Sequence, residues 1–190
     1  MLVSWDSLHA QIAACQGCGL CKGIRNKVPG QGSARAKLMF VGEGPGADED
    51  AQGLAFVGPA GQLLTKMIAA IGMRREEVYI ANIVKCRPPG NREPTPEEAT
   101  ACLPFLRSQV MLVRPKVIVL LGATAARTLL SADMRITRDH GKWVEKKGVA
   151  FMVTYHPAAL LRDESKKKDA WNDLRLVRDK LLENGDDTHG

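Results

Sequence analysis

The chain has 190 residues, of which 45% are hydrophobic and 25% charged, a balance typical of a globular protein with one sizeable core. No apolar run approaches the length of a membrane span, and the N-terminus lacks a signal-peptide pattern, so we expect a cytoplasmic protein. In that reducing compartment the five cysteines are more typical of metal binding or burial than of disulfides. The net charge of +6 favours an anionic partner.

Helices and strands alternate along the chain. In order, we predict a helix from residue 4 to the first cysteines, a strand at 37–42, a helix at 63–71, a strand at 78–84, a helix at 95–113, a strand at 116–122, a helix at 123–130, a strand at 149–155 and a helix at 164–182. This alternation predicts an α/β fold, a three-layer α/β/α arrangement with a central four-stranded parallel sheet. We expect a single domain over 1–184 and a disordered tail at 185–190.

Parallel sheets of this kind bind ligands beyond the C-terminal ends of their strands. Four segments follow predicted strands, and they begin at Glu43, Lys85, Gly122 and His156. Each feature also has a structural explanation: the run GEGPG at 42–46 is compatible with a tight turn, and both Asn82 and His156 are compatible with turn formation. Their convergence at strand ends favours a shared binding site.

Four motifs resemble those of a known family. They are GEGPGADED at 42–50, FVGPAGQLL at 56–64, YIANIVKCRPP at 79–89 and YHPAALLR at 155–162. The chain resembles the iron–sulfur, or type-4, uracil-DNA glycosylases. The resemblance implies a monofunctional enzyme that hydrolyses the N-glycosidic bond of deoxyuridine, leaves an abasic site and starts base excision repair. It also implies a monomer that acts on uracil in single- or double-stranded DNA.

The resemblance gives roles to the residues of a base pocket. Phe56 would stack on the flipped uracil, and Asn82 would hydrogen-bond its Watson–Crick edge. His156 would donate to uracil O2 as negative charge develops on the departing base. Backbone amides of Gly44 and Gly46 would hold the base and the neighbouring phosphate.

Further roles concern the sugar and the DNA strand. Glu43 would act catalytically on the sugar side, by stabilising the cationic sugar or by positioning water, and the acidic residues at 48–50 are alternatives. Leu160 would wedge into the vacated stack, and Arg162 would contact a phosphate. The lysine run at 166–168 is an alternative phosphate contact, although a solvated helix face is the commoner role of such a run.

The cysteine pattern carries the remaining implication of the resemblance. Cys15, Cys18, Cys86 and Cys102 match the ligands of a [4Fe–4S] cluster. Structural zinc is the alternative, but zinc ribbons usually draw on two separate Cys-x-x-Cys knuckles, and the second is missing here. Cys21 departs from the family pattern and is either a bystander or an alternative ligand. The cluster would tie the N-terminal helix to the loop that follows Cys86.

Two other functions remain open. One is a non-hydrolytic iron–sulfur protein that binds DNA. The other is a relative that traps uracil-DNA covalently through a histidine in an inserted basic loop after the Asn82 strand. Here that stretch, 87–94, is short and contains no histidine, so turnover is predicted.

Overall fold

A computed structural model describes residues 3–185 and has a six-stranded sheet at its centre. The strands are β1 (Gln31–Gly32), β2 (Leu38–Gly42), β3 (Tyr79–Asn82), β4 (Val117–Leu121), β5 (Trp143–Lys146) and β6 (Val149–Thr154), in the order β1-β3-β2-β4-β6-β5. The middle four run parallel, whereas β1 and β5 pair antiparallel at the edges. The predicted four-stranded parallel sheet is confirmed as the centre, and the two edge strands are additions.

Helices cover both faces of the sheet. They are α1 (Trp5–Ala14), α2 (Ala47–Gln52), α3 (Pro59–Ala70), α4 (Pro96–Val113), α5 (Ala123–Leu129), α6 (Ile136–Asp139), α7 (Pro157–Arg162) and α8 (Lys167–Glu183). Helix α4 begins as predicted, because Thr95 Oγ1 accepts from the Glu98 amide while the Glu98 carboxylate accepts from the Thr95 amide. The short helices α2, α6 and α7 were not predicted.

Two apolar clusters separate the three layers. Leu64 and Ile68 of α3 pack with Leu174 and Val177 of α8 on one face of the sheet. Leu106 of α4 packs with α5 on the opposite face. Every residue of β2 and β4 is buried, as expected for strands covered on both faces. The predicted three-layer α/β/α arrangement is therefore confirmed.

None of the helices within residues 3–185 is both long enough and apolar enough to cross a membrane. The predicted tail lies outside the described residues except for Gly185. The assignment of residues 1–184 to a single domain stays a prediction.

Candidate active site

The C-terminal ends of the parallel strands open onto one cleft of about 740 Å³. Glu43 follows β2, Asn82 ends β3, Gly122 follows β4 and His156 lies just after β6, and all four line this cleft. The structure thus brings together the strand-end residues singled out from the sequence. Lys85 is the exception, since it is buried beside Gln109 of α4 and does not line the cleft.

Asn82 and Phe56 meet at the floor of the cleft. A Cβ placed on Gly42 would lie 2.5 Å from Phe56 Cζ and 2.6 Å from Asn82 Oδ1, so only glycine allows this approach. Asn82 is 2% exposed, and its Oδ1 has no hydrogen-bond partner within the described chain. A buried acceptor without a donor costs about 1–3 kcal/mol. The site therefore presents an acceptor that a bound ligand with an N–H group would satisfy.

Phe56 is held in an unfavourable backbone conformation. Its φ is 50°, in the left-handed region that side-chain-bearing residues rarely adopt. The amides of Val57 and Gly58 both donate to Glu49 Oε1 at 3.0 Å, which fixes the chain directly after Phe56. A Cβ on Gly61 would lie 2.0 Å from the Phe56 carbonyl, so α3 packs directly against this backbone. These contacts hold the buried ring in the cleft.

His156 has a defined tautomer. Its Nδ1 accepts a hydrogen bond from the Ala158 amide at 3.0 Å, so in the neutral ring the proton is on Nε2. Burial and, secondarily, Arg162 lower the pKa of His156 to about 4, while Glu49 acts in the opposite direction. The ring centroid lies 5.6 Å from that of Phe56, at an interplanar angle of 30°. At neutral pH the cleft thus contains an uncharged imidazole with an Nε2–H donor.

Glu43 is paired with a hydroxyl that the sequence analysis did not single out. Thr124 Oγ1 donates to Glu43 Oε2 at 2.6 Å. Burial raises the pKa of Glu43 and nearby Glu93 raises it further, whereas the Thr124 hydrogen bond opposes them. The sequence clue to Thr124 was its position in the segment that follows β4, because that segment was predicted to lie at the same edge of the sheet as Glu43.

The alternative acidic residues at 48–50 differ in availability. Glu49 accepts from the amides of Gly46, Val57 and Gly58, and Asp50 is buried and accepts from the amides of Arg25 and Asn26. Asp48 is exposed and lines the cleft, and its side chain forms no hydrogen bond within residues 3–185. Asp48 is therefore the acidic residue of this trio that is available to a substrate.

The Glu49 contact also corrects the expectation for the glycine turn. The Gly46 amide donates to Glu49 Oε2 at 3.1 Å, so it is not available to hold a base or a phosphate. The Gly44 amide is not hydrogen-bonded within the described part of the chain. Of the two predicted backbone donors, Gly44 is the one that faces the cleft without a partner.

The structure contradicts the assignment of Leu160 as a wedge. Leu160 is 2% exposed and packs in the apolar cluster beneath the sheet, whereas Leu161 is 47% exposed and lines the cleft. Successive residues of a helix point about 100° apart, so α7 turns one leucine inward and the next outward. Arg162 is exposed at the cleft and forms no ion pair within residues 3–185, which leaves it available to a phosphate.

All five cysteines line a second cavity. None forms a disulfide. Burial raises the pKa of Cys86 to about 12; Cys102, Cys18 and Cys15 contribute in the same direction, and Lys27 opposes them. In residues 3–185, no three or more His, Cys, Asp or Glu side chains are grouped closely enough to hold a metal ion.

Comparisons with known proteins agree with this site. The model of the uracil DNA glycosylase superfamily matches residues 29–175. The type-4 uracil-DNA glycosylase of Archaeoglobus fulgidus is 44% identical over 182 residues, which is 92% of each chain. That of Thermotoga maritima is 45% identical over 174 residues, 90% of this chain and 88% of the relative. A type-5 uracil-DNA glycosylase of Pyrobaculum aerophilum is more distant, at 35% over 150 residues, 70% of this chain and 66% of the relative.

The motifs at 42–50, 56–64, 79–89 and 155–162 fall within the superfamily match, and the fold places all four around one cleft. The identity to type-4 relatives exceeds that to the type-5 relative and extends over more of the chain. The chain therefore belongs to the uracil DNA glycosylase superfamily, and within it to the type-4 uracil-DNA glycosylases.

Proposed function

We propose that this protein is a monofunctional uracil-DNA glycosylase, which hydrolyses the bond between uracil and deoxyribose in DNA, leaves an abasic site and so starts base excision repair. The observation that carries the proposal is that one cleft holds two polar atoms available to a ligand, one acceptor and one donor. Among residues 3–185 no donor reaches the buried acceptor Asn82 Oδ1, and His156 Nε2–H is a donor fixed by its own tautomer. Uracil offers both complements, an N3–H donor and the O2 acceptor.

Base selection follows from the Asn82 carboxamide. A glycosylase extrudes its target nucleotide and examines the base edge in a pocket. With the base stacked on Phe56, Asn82 Oδ1 accepts from uracil N3–H. Cytosine has an unprotonated N3, so the same oxygen would face a second acceptor and stay unsatisfied. Sites that depend on one buried hydrogen bond reject analogues that lack it.

Bond cleavage places negative charge on the departing uracil. Water adds to C1′, the C1′–N1 bond breaks, and uracil leaves as an anion with charge shared onto O2. The proton that the water releases finally neutralises this anion, so the products are uracil and an abasic sugar. His156 donates to that oxygen through Nε2–H, a contact that strengthens as charge develops. Because the pKa of His156 is lowered to about 4, the ring acts as a neutral donor at pH 7.

Glu43 acts on the sugar side of the same bond. Its carboxylate stabilises positive charge on the sugar or orients the attacking water, and Thr124 holds it at 2.6 Å. Burial favours its neutral form, and the Thr124 hydroxyl offsets part of that by donating to the carboxylate. Asp48 is the second acidic residue available from the cleft wall.

DNA contacts follow from the exposed rim of the cleft. Leu161 takes the wedge role in place of Leu160, and Arg162 contacts a phosphate. The lysine run at 166–168 is less available, because Lys167 pairs with Glu164 at 2.9 Å and Lys166 lies 6.0 Å from the centroid of the Tyr155 ring.

The cysteine cavity would hold a [4Fe–4S] cluster through Cys15, Cys18, Cys86 and Cys102. The donor set fits, because thiolates are the usual ligands of such a cluster and these four cysteines line one cavity. When bound, it supplies structural cross-linking: α1 becomes tied to α4 and to the segment after β3. Cys21 stays a bystander.

The setting of the enzyme follows from the same features. A reducing cytoplasm suits five thiols without a disulfide. From the resemblance to the type-4 enzymes, we infer a cytoplasmic monomer that acts on single- and double-stranded DNA. The covalent-trapping alternative needs a second histidine at the cleft. Among the described residues that line it, His156 is the sole histidine.

The test is uracil release by protein purified without oxygen. A labelled oligonucleotide with one uracil is incubated with the protein and run on a denaturing gel with and without alkali. Alkali-dependent cleavage at the uracil supports a monofunctional glycosylase, and Asn82→Ala should slow it to a small residual rate while DNA binding persists. An intact strand, or a band of protein linked to DNA, would overturn the proposal in favour of the non-hydrolytic or covalent alternative.

A further inference from the structure

Lys85 is a buried cation that the proposed chemistry does not use. It is 1% exposed, and its Nζ donates to the Asn82 carbonyl at 2.7 Å and to Gln109 Oε1 at 2.8 Å. A buried ammonium is strongly destabilising unless hydrogen bonds and opposite charge compensate it. The two hydrogen-bond partners of Lys85 therefore indicate which groups its side chain positions.

Gln109 fixes one end of this arrangement. It is 0% exposed, and its Nε2 donates to the Pro29 carbonyl at 2.6 Å and to the Tyr79 hydroxyl oxygen at 3.2 Å. Both amide hydrogens face acceptors, so Oε1 must face Lys85. The ammonium is thereby held at one place in the core.

The other end of the arrangement is the residue that reads the base. The edge strand β1 pairs with Tyr79 and Ile80 and stops there, so it offers no partner opposite Asn82. The Lys85 ammonium supplies a donor to the Asn82 carbonyl at that point. Fixing this carbonyl fixes the peptide plane at the end of β3, and with it the direction of the Asn82 side chain.

Lys85 also lines the cysteine cavity. It immediately precedes Cys86, and these two residues line the cavity together with Cys102 of α4. One residue thus lies between the cysteines and Asn82. With a cluster bound, its thiolate ligands would supply the opposite charge that a buried ammonium requires.

We propose that Lys85, oriented by Gln109, is a positioning residue that couples the cysteine cavity to the uracil-reading side chain of Asn82. Loss of the cysteine site would then impair base recognition through a specific contact, in addition to any general loss of stability. This inference rests on the proposed function, since it assigns Asn82 the task of reading uracil.

The first experiment compares Lys85→Met with a matched control. The control is Lys146→Met. The Lys146 ammonium also donates to a backbone carbonyl, that of Leu129, but Lys146 lies on the edge strand β5, on the far side of the sheet. We expect Lys85→Met to lower kcat by about tenfold to a hundredfold, the range for a misplaced reacting group, with KM for the oligonucleotide little changed. We also expect less iron per chain and faster loss of visible absorbance with a chelator. Lys146→Met should match the wild type in all four measurements.

A second variant separates positioning from folding. Gln109→Leu keeps both the ammonium and the cysteines but removes the acceptor that orients Lys85, so it should lower kcat in the same direction. Full kcat in a folded, iron-loaded Lys85→Met protein would overturn the inference, as would full kcat in Gln109→Leu.

A double-mutant cycle tests the route through Asn82. If Lys85 acts through that residue, Lys85→Met should lower the residual rate of Asn82→Ala by less than about twofold, because interacting positions are not additive. A further tenfold loss in the double variant would show an independent, structural role and refute the coupling. If the wild type itself released no uracil, the proposed function would fail before any variant was compared, so the two failures are distinguishable.

Discussion

Acidification should affect His156 far below the pH at which histidines usually titrate. The pKa of His156 is lowered to about 4, so about one ring in a thousand is protonated at pH 7. Protonation would place a hydrogen on Nδ1, where the Ala158 amide already donates. The charged ring is therefore incompatible with its native hydrogen bond, and the neutral form should persist down to about pH 5.

The same shift predicts a loss of folding stability in acid. In the unfolded chain a histidine gains its proton near pH 6.5, whereas folded His156 resists protonation until about pH 4. The unfolded state thus binds more protons in this window, and stability decreases as pH falls through it. Linkage gives a loss of about 2 kcal/mol between pH 8 and pH 5 from this residue alone.

Two measurements check this reasoning. A nitrogen-15 NMR titration of the imidazole, assigned by comparison with His156→Gln, should show the Nε2–H tautomer unchanged from pH 8 to pH 5. Urea unfolding at pH 8 and pH 5 should show the wild type losing about 2 kcal/mol more than His156→Gln, because the variant lacks the titrating ring. A titration midpoint near pH 6.5, or equal losses in the two proteins, would refute the assignment of a buried neutral imidazole.

Three further predictions concern neighbouring contacts. Leu160→Ala should lower the free energy of unfolding by about 2–5 kcal/mol, whereas Leu161→Ala should change it by less than about 0.5 kcal/mol. Leu161→Ala should also slow uracil release from duplex DNA more than from single-stranded DNA. The reverse ranking of the two variants in urea unfolding would restore Leu160 as the wedge. Thr124→Val removes the hydrogen bond that opposes the raised pKa of Glu43, so the acid side of the pH–rate profile should move to higher pH, and an unchanged profile would exclude Glu43 as the titrating group. Glu49→Ala leaves two amides after Phe56 without an acceptor, and should lower kcat by about tenfold or more in single-turnover assays.

Most of the fold was accessible from the sequence because its strands are buried on both faces. Continuous apolar runs such as 37–42 and 116–122 predict strands directly, and the capping pattern at Thr95 fixes the start of α4. The edge strands were missed for the opposite reason. β1 has two residues, and β5 is half-exposed with Lys and Glu at its end, so neither has an apolar run that local sequence can reveal. Their pairing is set by tertiary contact with β3 and β6.

The site was predictable to the extent that its residues sit at strand ends. Asn82 and His156 follow this rule, and the structure places both in one cleft. Residues that position other residues could not be predicted in this way. Glu49 looked like a candidate acid, but it accepts three backbone amides across a loop closure that no local pattern encodes.

The two leucines show where sequence reasoning ends and helix geometry begins. Both lie in the motif YHPAALLR, and both are suitable side chains for entering a base stack. Which leucine faces the cleft depends on the rotation of α7 about its axis. That rotation is set at the start of the helix, where His156 is the N-cap and its Nδ1 accepts from the Ala158 amide. The same cap that fixes the tautomer of the catalytic ring therefore also decides that Leu161, and not Leu160, faces the cleft. A single turn of backbone thus positions both the donor for the departing base and the side chain that fills its place in the stack.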